Sequence, residues 1–214
     1  MCALLSVAWP IVMYPAAIAG AGDMGGFAVR RVAGDLFCAE VAQDEELCAR
    51  YAEIFDESVI LDSGVSRDDV MPWFSRIPIG DAETFRESGW HMHVGHGDNA
   101  VEEACDTEQD VLGMCVPIES TLYVEDSEMG LRFAVIHEMG HFIDLSRGNP
   151  TRRSDEWVEI FDEEMGSFVD VGRFDDYAQT DAIEFFAEVY RTGVMYPTTT
   201  RLSAPKAYAY VFGG

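Results

Sequence analysis

The chain has 214 residues, enough for one domain with or without a processed leader. Hydrophobic residues make up 48% of it, so a sizeable core can be buried and a disordered chain is excluded. Acidic residues outnumber basic ones by 39 to 14. Because so negative a surface repels phosphate groups, nucleic acid and anionic membranes are excluded as expected partners.

The first 22 residues carry no charged side chain and end in small residues. This pattern is typical of a secretory signal peptide, and we predict one over residues 1–21. Pro10 and Pro15 interrupt the apolar stretch, which argues against a membrane-spanning helix. The alternative is a buried N-terminal segment. The prediction is therefore a secreted protein with one domain over residues 22–214.

Four cysteines follow the predicted leader, an even number that agrees with export to an oxidising compartment. They form two couples, each ten positions apart, and we predict the disulfides Cys38–Cys48 and Cys105–Cys115. Closing loops of this size stabilises a fold by about 3 kcal/mol each. The alternative is four buried free thiols.

Residues 44–57 show the periodicity of an amphipathic helix. Prolines and glycines interrupt the apolar runs of residues 58–100, where we expect strands and loops. Residues 101–115 are typical of an acidic loop. Residues 120–125 are rich in β-branched and aromatic side chains, which predicts a strand. Helices are then predicted to begin near residues 127, 154, 181 and 205. Strands before helices predict an α+β domain.

The first of these helices carries His137-Glu138-Met139-Gly140-His141. Positions i and i+4 share one helix face, so both imidazoles can bind one Zn²⁺ at about 2.0–2.1 Å. Glu138 follows the first histidine directly and can reach a metal-bound water, as a general base must. Gly140 leaves room for the close approach of another element or a substrate. The alternative is a histidine pair on a polar face.

A catalytic zinc needs a third protein ligand, and the segment from Tyr177 to Glu188 offers candidates. Glu184 and Glu188 share one face of the third helix, among apolar residues, where an acid needs a metal or a hydrogen-bond partner. One could bind the metal while the other bonds a ligand histidine from behind. The alternatives are a capping box of Asp181 and Glu184, and a solvated Glu188.

The spacing of these motifs resembles a known family. His-Glu-x-Gly-His with Asp144 three residues later, and Tyr177 seven residues before Glu184 in Tyr-x₆-Glu-Phe-Phe-Ala-Glu, resemble the catalytic domain of anthrax lethal factor and related bacterial Pro-Pro endopeptidases. These belong to the gluzincins, and the resemblance covers about residues 118–212. It implies a zincin-like metallopeptidase fold, with a small mixed sheet and an active-site helix, followed by a helical C-terminal subdomain.

The resemblance also implies a role for each residue of the motifs. His137, His141 and Glu184 would bind one Zn²⁺, Glu138 would be the base, Tyr177 would assist, and Glu188 and Asp144 would be supporting residues around the ligands. By the same resemblance, the strand at 120–125 is expected to lie at a sheet edge and to pair with an extended substrate.

We therefore predict a secreted zinc endopeptidase, a hydrolase that acts on a peptide or protein substrate as a monomer. One alternative is a catalytically silent zinc-binding module of the same fold. Another is a different zincin branch, in which the third ligand comes from Asp175, Asp176 or Glu188.

His91, His93 and His96 form a second histidine cluster. On a strand, His91 and His93 would face the same side, which is compatible with a further metal site. No helix-spaced partner is evident, so the favoured interpretation is polar strand and loop histidines near the cleft.

Overall fold

A computed structural model describes residues 9–12, 44–95, 111–172 and 177–213 of the chain. The described strands are β1 (Trp9–Val12), β2 (Val59–Leu61), β3 (His91–Gly95), β4 (Val111–Val116) and β5 (Thr121–Glu125). The described helices are α1 (Glu45–Ser58), α2 (Arg67–Phe74), α3 (Ile79–Glu87), α4 (Glu128–Ser146), α5 (Pro150–Arg153), α6 (Asp155–Glu164), α7 (Ala182–Met195), α8 (Pro197–Ser203) and α9 (Pro205–Phe212). The predicted α+β class is confirmed.

The strands form one mixed sheet in the order β1-β4-β5-β3-β2. β2, β3 and β5 are parallel, while β4 runs antiparallel to both β5 and β1. The expectation that residues 120–125 form a sheet edge is wrong, because β5 pairs with β3 on one side and β4 on the other. Its backbone groups are thus already used within the sheet.

Part of the predicted acidic loop at 101–115 is also a strand. β4 begins at Val111, after the last acid of that segment, and buries Leu112, Met114 and Cys115. A run of apolar side chains buried on both faces does not alternate, so it lacks the period-2 signal of a half-buried strand. Residues 101–110 lie outside the described part of the chain.

The central helix α4 is buried along most of its length, from Gly130 to Asp144 except at Arg132. It begins where the Ser127 hydroxyl caps it by accepting from the amide of Gly130 at 3.0 Å. It ends before Gly148 and Asn149, which both adopt positive φ. Strands β4 and β5 pack on one side of α4 and α7 packs on another, so α4 lies in the middle of the domain.

Two helices, α2 and α3, lie in the region where the sequence indicates only strands and loops. Pro72 lies inside α2 and Pro78 directly precedes α3. Both helices bury apolar side chains, among them Phe74 and Phe85, in the main core. Tertiary packing therefore stabilises short helices whose local sequence signals are weak.

The predicted leader is described only at residues 9–12, which form β1, so the signal peptide and the 22–214 domain boundary stay predictions. Cys38 and Cys105 lie outside the described residues, and both disulfide pairings also stay predictions. Within the described ranges, no helix combines the length and the apolar character that crossing a bilayer requires.

Candidate metal centre

The site forms where α4 and α7 cross in close contact. A Cβ atom on Gly140 of α4 would lie 2.8 Å from the Cα and 3.1 Å from the carbonyl oxygen of Ala187 on α7. Only glycine therefore permits this crossing distance. The crossing brings the two acids of α7, Glu184 and Glu188, against the histidines of α4.

Three buried donor atoms converge at this crossing. His137 Nε2 lies 3.1 Å from His141 Nε2 and 3.1 Å from Glu184 Oε2, and His141 Nε2 lies 3.6 Å from the same carboxylate oxygen. Ligands at about 2.0–2.1 Å in a tetrahedral zinc site are separated by about 3.3 Å. The spacing and the chemistry of the three predicted ligands therefore fit a zinc ion.

Among the described residues, this is the one group of three or more histidine, cysteine, aspartate and glutamate side chains close enough together to hold a metal. The composition of two imidazoles and one carboxylate is typical of catalytic zinc. Asp175 and Asp176, the alternative third ligands, lie outside the described residues.

Glu188 holds the first histidine from behind. Its Oε1 lies 2.8 Å from His137 Nδ1, and both side chains are fully buried. A carboxylate can only accept, so Nδ1 donates and Nε2 is left as the ligand atom. The predicted supporting position of Glu188 matches this geometry, and Glu188 does not face the ligand cluster as a third ligand would.

The carboxylates dominate the electrostatics of the cluster. Burial opposes the charged form of His137, but Glu188 and Glu184 outweigh it and raise its pKa to about 10. Burial likewise opposes ionisation of Glu184, but His141 and His137 lower the pKa of its carboxyl well below the usual range. The negative charge of the two carboxylates would also attract a divalent cation, which would bind in place of the proton.

Glu138 is a buried acid of a different kind. Neither carboxylate oxygen has a hydrogen-bond partner in the described part of the chain. Burial raises its pKa to about 7, although His141 and His137 act in the opposite direction. On the sheet side, a Cβ atom on Gly113 of β4 would lie 2.9 Å from Glu138 Oε1, so that glycine makes room for the carboxylate. An unpartnered buried carboxylate suits a group that exchanges a proton with a molecule entering the site.

Tyr177 also lies at the site, in a short 3₁₀ turn that precedes α7. Its side chain is buried, and its ring centroid is 5.8 Å from that of His137. Asp181 caps α7 by accepting from the amides of Ile183 and Glu184 at 2.8 and 3.0 Å. The first turn of α7 therefore contains both the capping contact of Asp181 with the Glu184 amide and the Glu184 carboxylate that faces the histidines.

Asp144 takes a different place from the one that the resemblance implies. Its carboxylate accepts from the amide of Thr151 at 3.1 Å and from the hydroxyl of Thr151 at 2.7 Å. It therefore fixes the end of α4 to α5 and makes no described hydrogen bond to a ligand side chain. Glu188 alone of the two predicted supporting acids touches a ligand.

The histidines of β3 stay apart from this centre. His93 Nε2 bonds Asp62 Oδ1 at 2.7 Å, and its ring lies 5.5 Å from that of Tyr123. His91 and His93 do not form a metal-binding group with the described residues. His96 lies outside them.

Two residues of the site were missed at the sequence level, Gly113 and Arg191. Arg191 is 2% exposed on α7, and its Nε donates to Glu188 Oε2 at 2.7 Å. The sequence does contain a signal for it, because Arg191 lies in the apolar stretch of α7. An arginine buried there needs an acidic partner, since arginine is rarely buried unless it is paired. Gly113 offered no local signal, because the need for it arises from the packing of β4 on α4.

A buried His-Glu-x-x-His helix, crossed by a helix that supplies a glutamate and flanked by a small mixed sheet, defines a zinc metallopeptidase-like domain of the zincin class. The family described as "Anthrax toxin lethal factor, N- and C-terminal domain" matches residues 94–212, more than half of the chain, and the chain belongs to this family.

Among solved structures, the chain is similar to the Pro-Pro endopeptidase (PPEP-2) from Paenibacillus alvei. The TM-score is 0.53 at 22% identity, and the match covers 74% of this chain and 97% of that chain. This likeness supports the zincin-like fold. A comparison with curated proteins found no match.

Proposed function

We propose that this protein is a secreted endopeptidase that uses zinc to hydrolyse peptide bonds. The observation that carries the proposal is Glu138, a buried carboxylate without a described partner beside a three-donor group. A metal-binding module without catalysis would need His137, His141 and Glu184 but no such acid.

His137, His141 and Glu184 would hold the zinc. When bound, zinc lowers the pKa of a water ligand to about 7 and polarises the scissile carbonyl. Glu138 accepts the proton of the attacking water and later delivers it to the leaving amine. In the metal-free protein, burial raises the pKa of Glu138 to about 7, which makes it a stronger base than an exposed glutamate. The Tyr177 phenol donates to the oxygen on which negative charge develops.

The substrate is proposed to lie along β4 rather than β5. β4 is the strand beside Glu138, since Gly113 packs against that carboxylate, and one of its edges already pairs with β5. Its other edge pairs with the four residues of β1, and an extended peptide would take that place through backbone hydrogen bonds. This places a peptide strand next to the general base, which is the arrangement that an endopeptidase needs.

Secretion is supported by the uncharged, apolar segment over residues 1–21 and by the even number of cysteines that follow it. Expression in a secreting host tests it, because mass spectrometry of the medium and the cells gives the new N-terminus. A new N-terminus near residue 22 in the medium supports export. Intact chain confined to the cells contradicts it.

A peptide-library assay on the zinc-loaded protein tests the activity. Glu138→Gln keeps the size of the side chain but removes the base, so we expect cleavage to fall by about 10²–10⁴-fold with zinc still bound. Glu164→Gln is the matched control, because Glu164 is also buried but bonds the amides of Lys206 and Ala207 away from the site. Zinc binding with no cleavage of any library by the wild type would favour the silent module.

A further inference from the structure

The structure assigns to Arg191 the role of a positioning residue that keeps the first zinc ligand in place through Glu188. This inference rests on the metal centre and not on the proposed peptidase activity. It begins from Glu188, a fully buried carboxylate whose Oε1 bonds His137 Nδ1 at 2.8 Å.

The second oxygen of that carboxylate is held by Arg191. The Nε of Arg191 donates to Glu188 Oε2 at 2.7 Å. The far end of the guanidinium bonds Asp170 and lies 3.4 Å from the carbonyl oxygen of Val171. The Asp170 side chain is 9% exposed, so both acids that flank Arg191 are shielded from water.

This chain of contacts has a direct electrostatic consequence. A buried carboxylate that loses the partner of one oxygen is free to rotate away from the group that its other oxygen bonds, because an unpaired buried charge is costly. Arg191 supplies the opposite charge and fixes the carboxylate plane by its planar fork. Glu188 therefore keeps its Oε1 toward His137 Nδ1, which leaves His137 Nε2 aimed at the ligand cluster.

The guanidinium group of Arg191 also packs against an aromatic ring. Its guanidinium carbon lies 5.3 Å from the ring centroid of Phe133 on α4. The arginine thus ties α4, α7 and the segment after α6 together around one carboxylate. Arg191 is expected to determine how strongly the site holds zinc, although none of its described contacts is to a zinc ligand.

Zinc affinity, measured by competition with a chromophoric chelator, tests this role. We expect Arg191→Met to weaken zinc binding by about 10-fold or more, within the range for residues that orient ligands. Arg191→Lys should recover part of the affinity, since it restores charge without the fork. Cobalt substitution provides a second readout, and a change in its visible spectrum is expected in Arg191→Met.

The matched control is Tyr190→Phe. Tyr190 is the fully buried neighbour of Arg191, and its hydroxyl donates to Asp81 away from the metal centre. The Tyr190→Phe variant should have a lower melting temperature but unchanged zinc affinity. If Arg191→Met does not fold, Asp170→Asn weakens the same chain of contacts and should reduce zinc affinity by a smaller factor. Wild-type zinc affinity in Arg191→Met, or in the folded substitute Asp170→Asn, would overturn the assignment.

A different observation, the position of β1, carries a second inference, which rests on the proposed function. β1 occupies the edge of β4 opposite β5, and the backbone register pairs Trp9 with Cys115 and Val12 with Val111. This is the edge proposed above for an extended peptide. We infer that residues 9–12 compete with substrate for β4, so that a chain retaining its N-terminal segment restrains its own activity.

The pairing of β1 is suited to displacement. The strand has only four residues, its register shifts between Pro10 and Val12, and Pro10 has no amide proton to donate. Few backbone hydrogen bonds therefore hold it. Removal of a leader over residues 1–21 would release the edge, which would link maturation to activity.

A cross-link tests the competition in the full chain. The double variant Val12→Cys/Val111→Cys places cysteines at positions that pair in the antiparallel ladder. Paired Cα atoms in such a ladder are about 4.5–5.5 Å apart, a separation that a disulfide can span. After oxidation, confirmed by peptide mapping, we expect cleavage at least about 10-fold slower than in the reduced form, a factor equivalent to about 1.4 kcal/mol. The single variant Val111→Cys should cleave at the same rate after oxidation and after reduction.

Binding provides a readout that does not need catalysis. A fluorescent peptide copying residues 7–14 should bind the reduced double variant and not the oxidised one. Failure of the cross-link to form, or equal peptide binding and cleavage in both states, would overturn the inference. Selective binding without any cleavage would instead support the competition while contradicting the proposed function.

Discussion

Helices α6 and α7 both contain acidic residues, but the acids lie in opposite environments. Five of the six acids of α6 are exposed, and Glu164, the buried one, bonds the first amides of α9. Both acids of α7, Glu184 and Glu188, are buried against histidines. In a chain with 39 acidic residues, the environment of an acid and not its abundance therefore indicates chemistry.

The largest expected difference between the two helices concerns the metal. Glu184→Ala removes a ligand, so zinc affinity should fall by more than the roughly 10–100-fold typical of supporting residues. Glu159→Ala on the exposed face of α6 is the control, and it should leave zinc content unchanged. Zinc analysis after dialysis checks both, and full zinc content in Glu184→Ala would contradict the ligand assignment.

A smaller effect is expected at Tyr177. Tyr177→Phe removes one hydroxyl that would stabilise developing charge, so kcat should fall by about 10²–10³ with zinc affinity unchanged. Tyr210→Phe is a useful comparison, because Tyr210 contacts Trp157 away from the metal centre. Equal loss of activity in both variants would mean that Tyr177 acts only through packing.

The crossing of α4 and α7 should be sensitive to a single methyl group. Gly140→Ala places a Cβ atom 2.8 Å from the Ala187 backbone, and such overpacking typically costs about 1–3 kcal/mol. It should also weaken zinc binding, since the ligands come from both helices. Gly166→Ala serves as the control, because open space surrounds that position. Denaturant unfolding of the two variants, with and without zinc, measures the difference.

The smallest expected effect is a pH dependence of the metal-free protein. Burial raises the folded-state pKa of Glu138 from 4.5 to about 7. Below about pH 4.5, Glu138 is protonated in both the folded and the unfolded chain, and its full contribution to the free energy of unfolding is present. As the pH rises through 7, the buried carboxyl must ionise, and this contribution to stability is lost. Glu138→Gln, which stays neutral, should therefore raise the melting temperature more at pH 8 than at pH 4.5. An equal change at both values would show that Glu138 is not buried in the folded chain.

The sequence predicts the parts of the site that lie on one helix. The motif from His137 to His141, and the pair Glu184 and Glu188, follow from helical spacing. Helices α4 and α7 begin close to the predicted residues 127 and 181. The strand at 120–125 is correctly placed in the chain. Its place in the middle of the sheet is not predictable, since pairing partners are chosen by tertiary structure.

The remaining features depend on contacts between distant segments. Short helices α2 and α3 form because packing of Phe74 and Phe85 overrides local proline signals. Asp144 was assigned by resemblance, whereas its actual partner, Thr151, follows from the turn after α4. The pairing of Arg191 with Glu188 has helical spacing, but its link to Asp170 arises only on folding.

X-ray absorption at the zinc edge tests the central claim most directly, because it distinguishes the buried crossing of α4 and α7 from the acidic surface. For one zinc per chain, we predict two imidazole nitrogens and oxygen ligands at about 2.0–2.2 Å. Glu184→Ala should abolish this signature. A shell made of oxygen alone, or one containing sulfur at about 2.3 Å, would contradict the account.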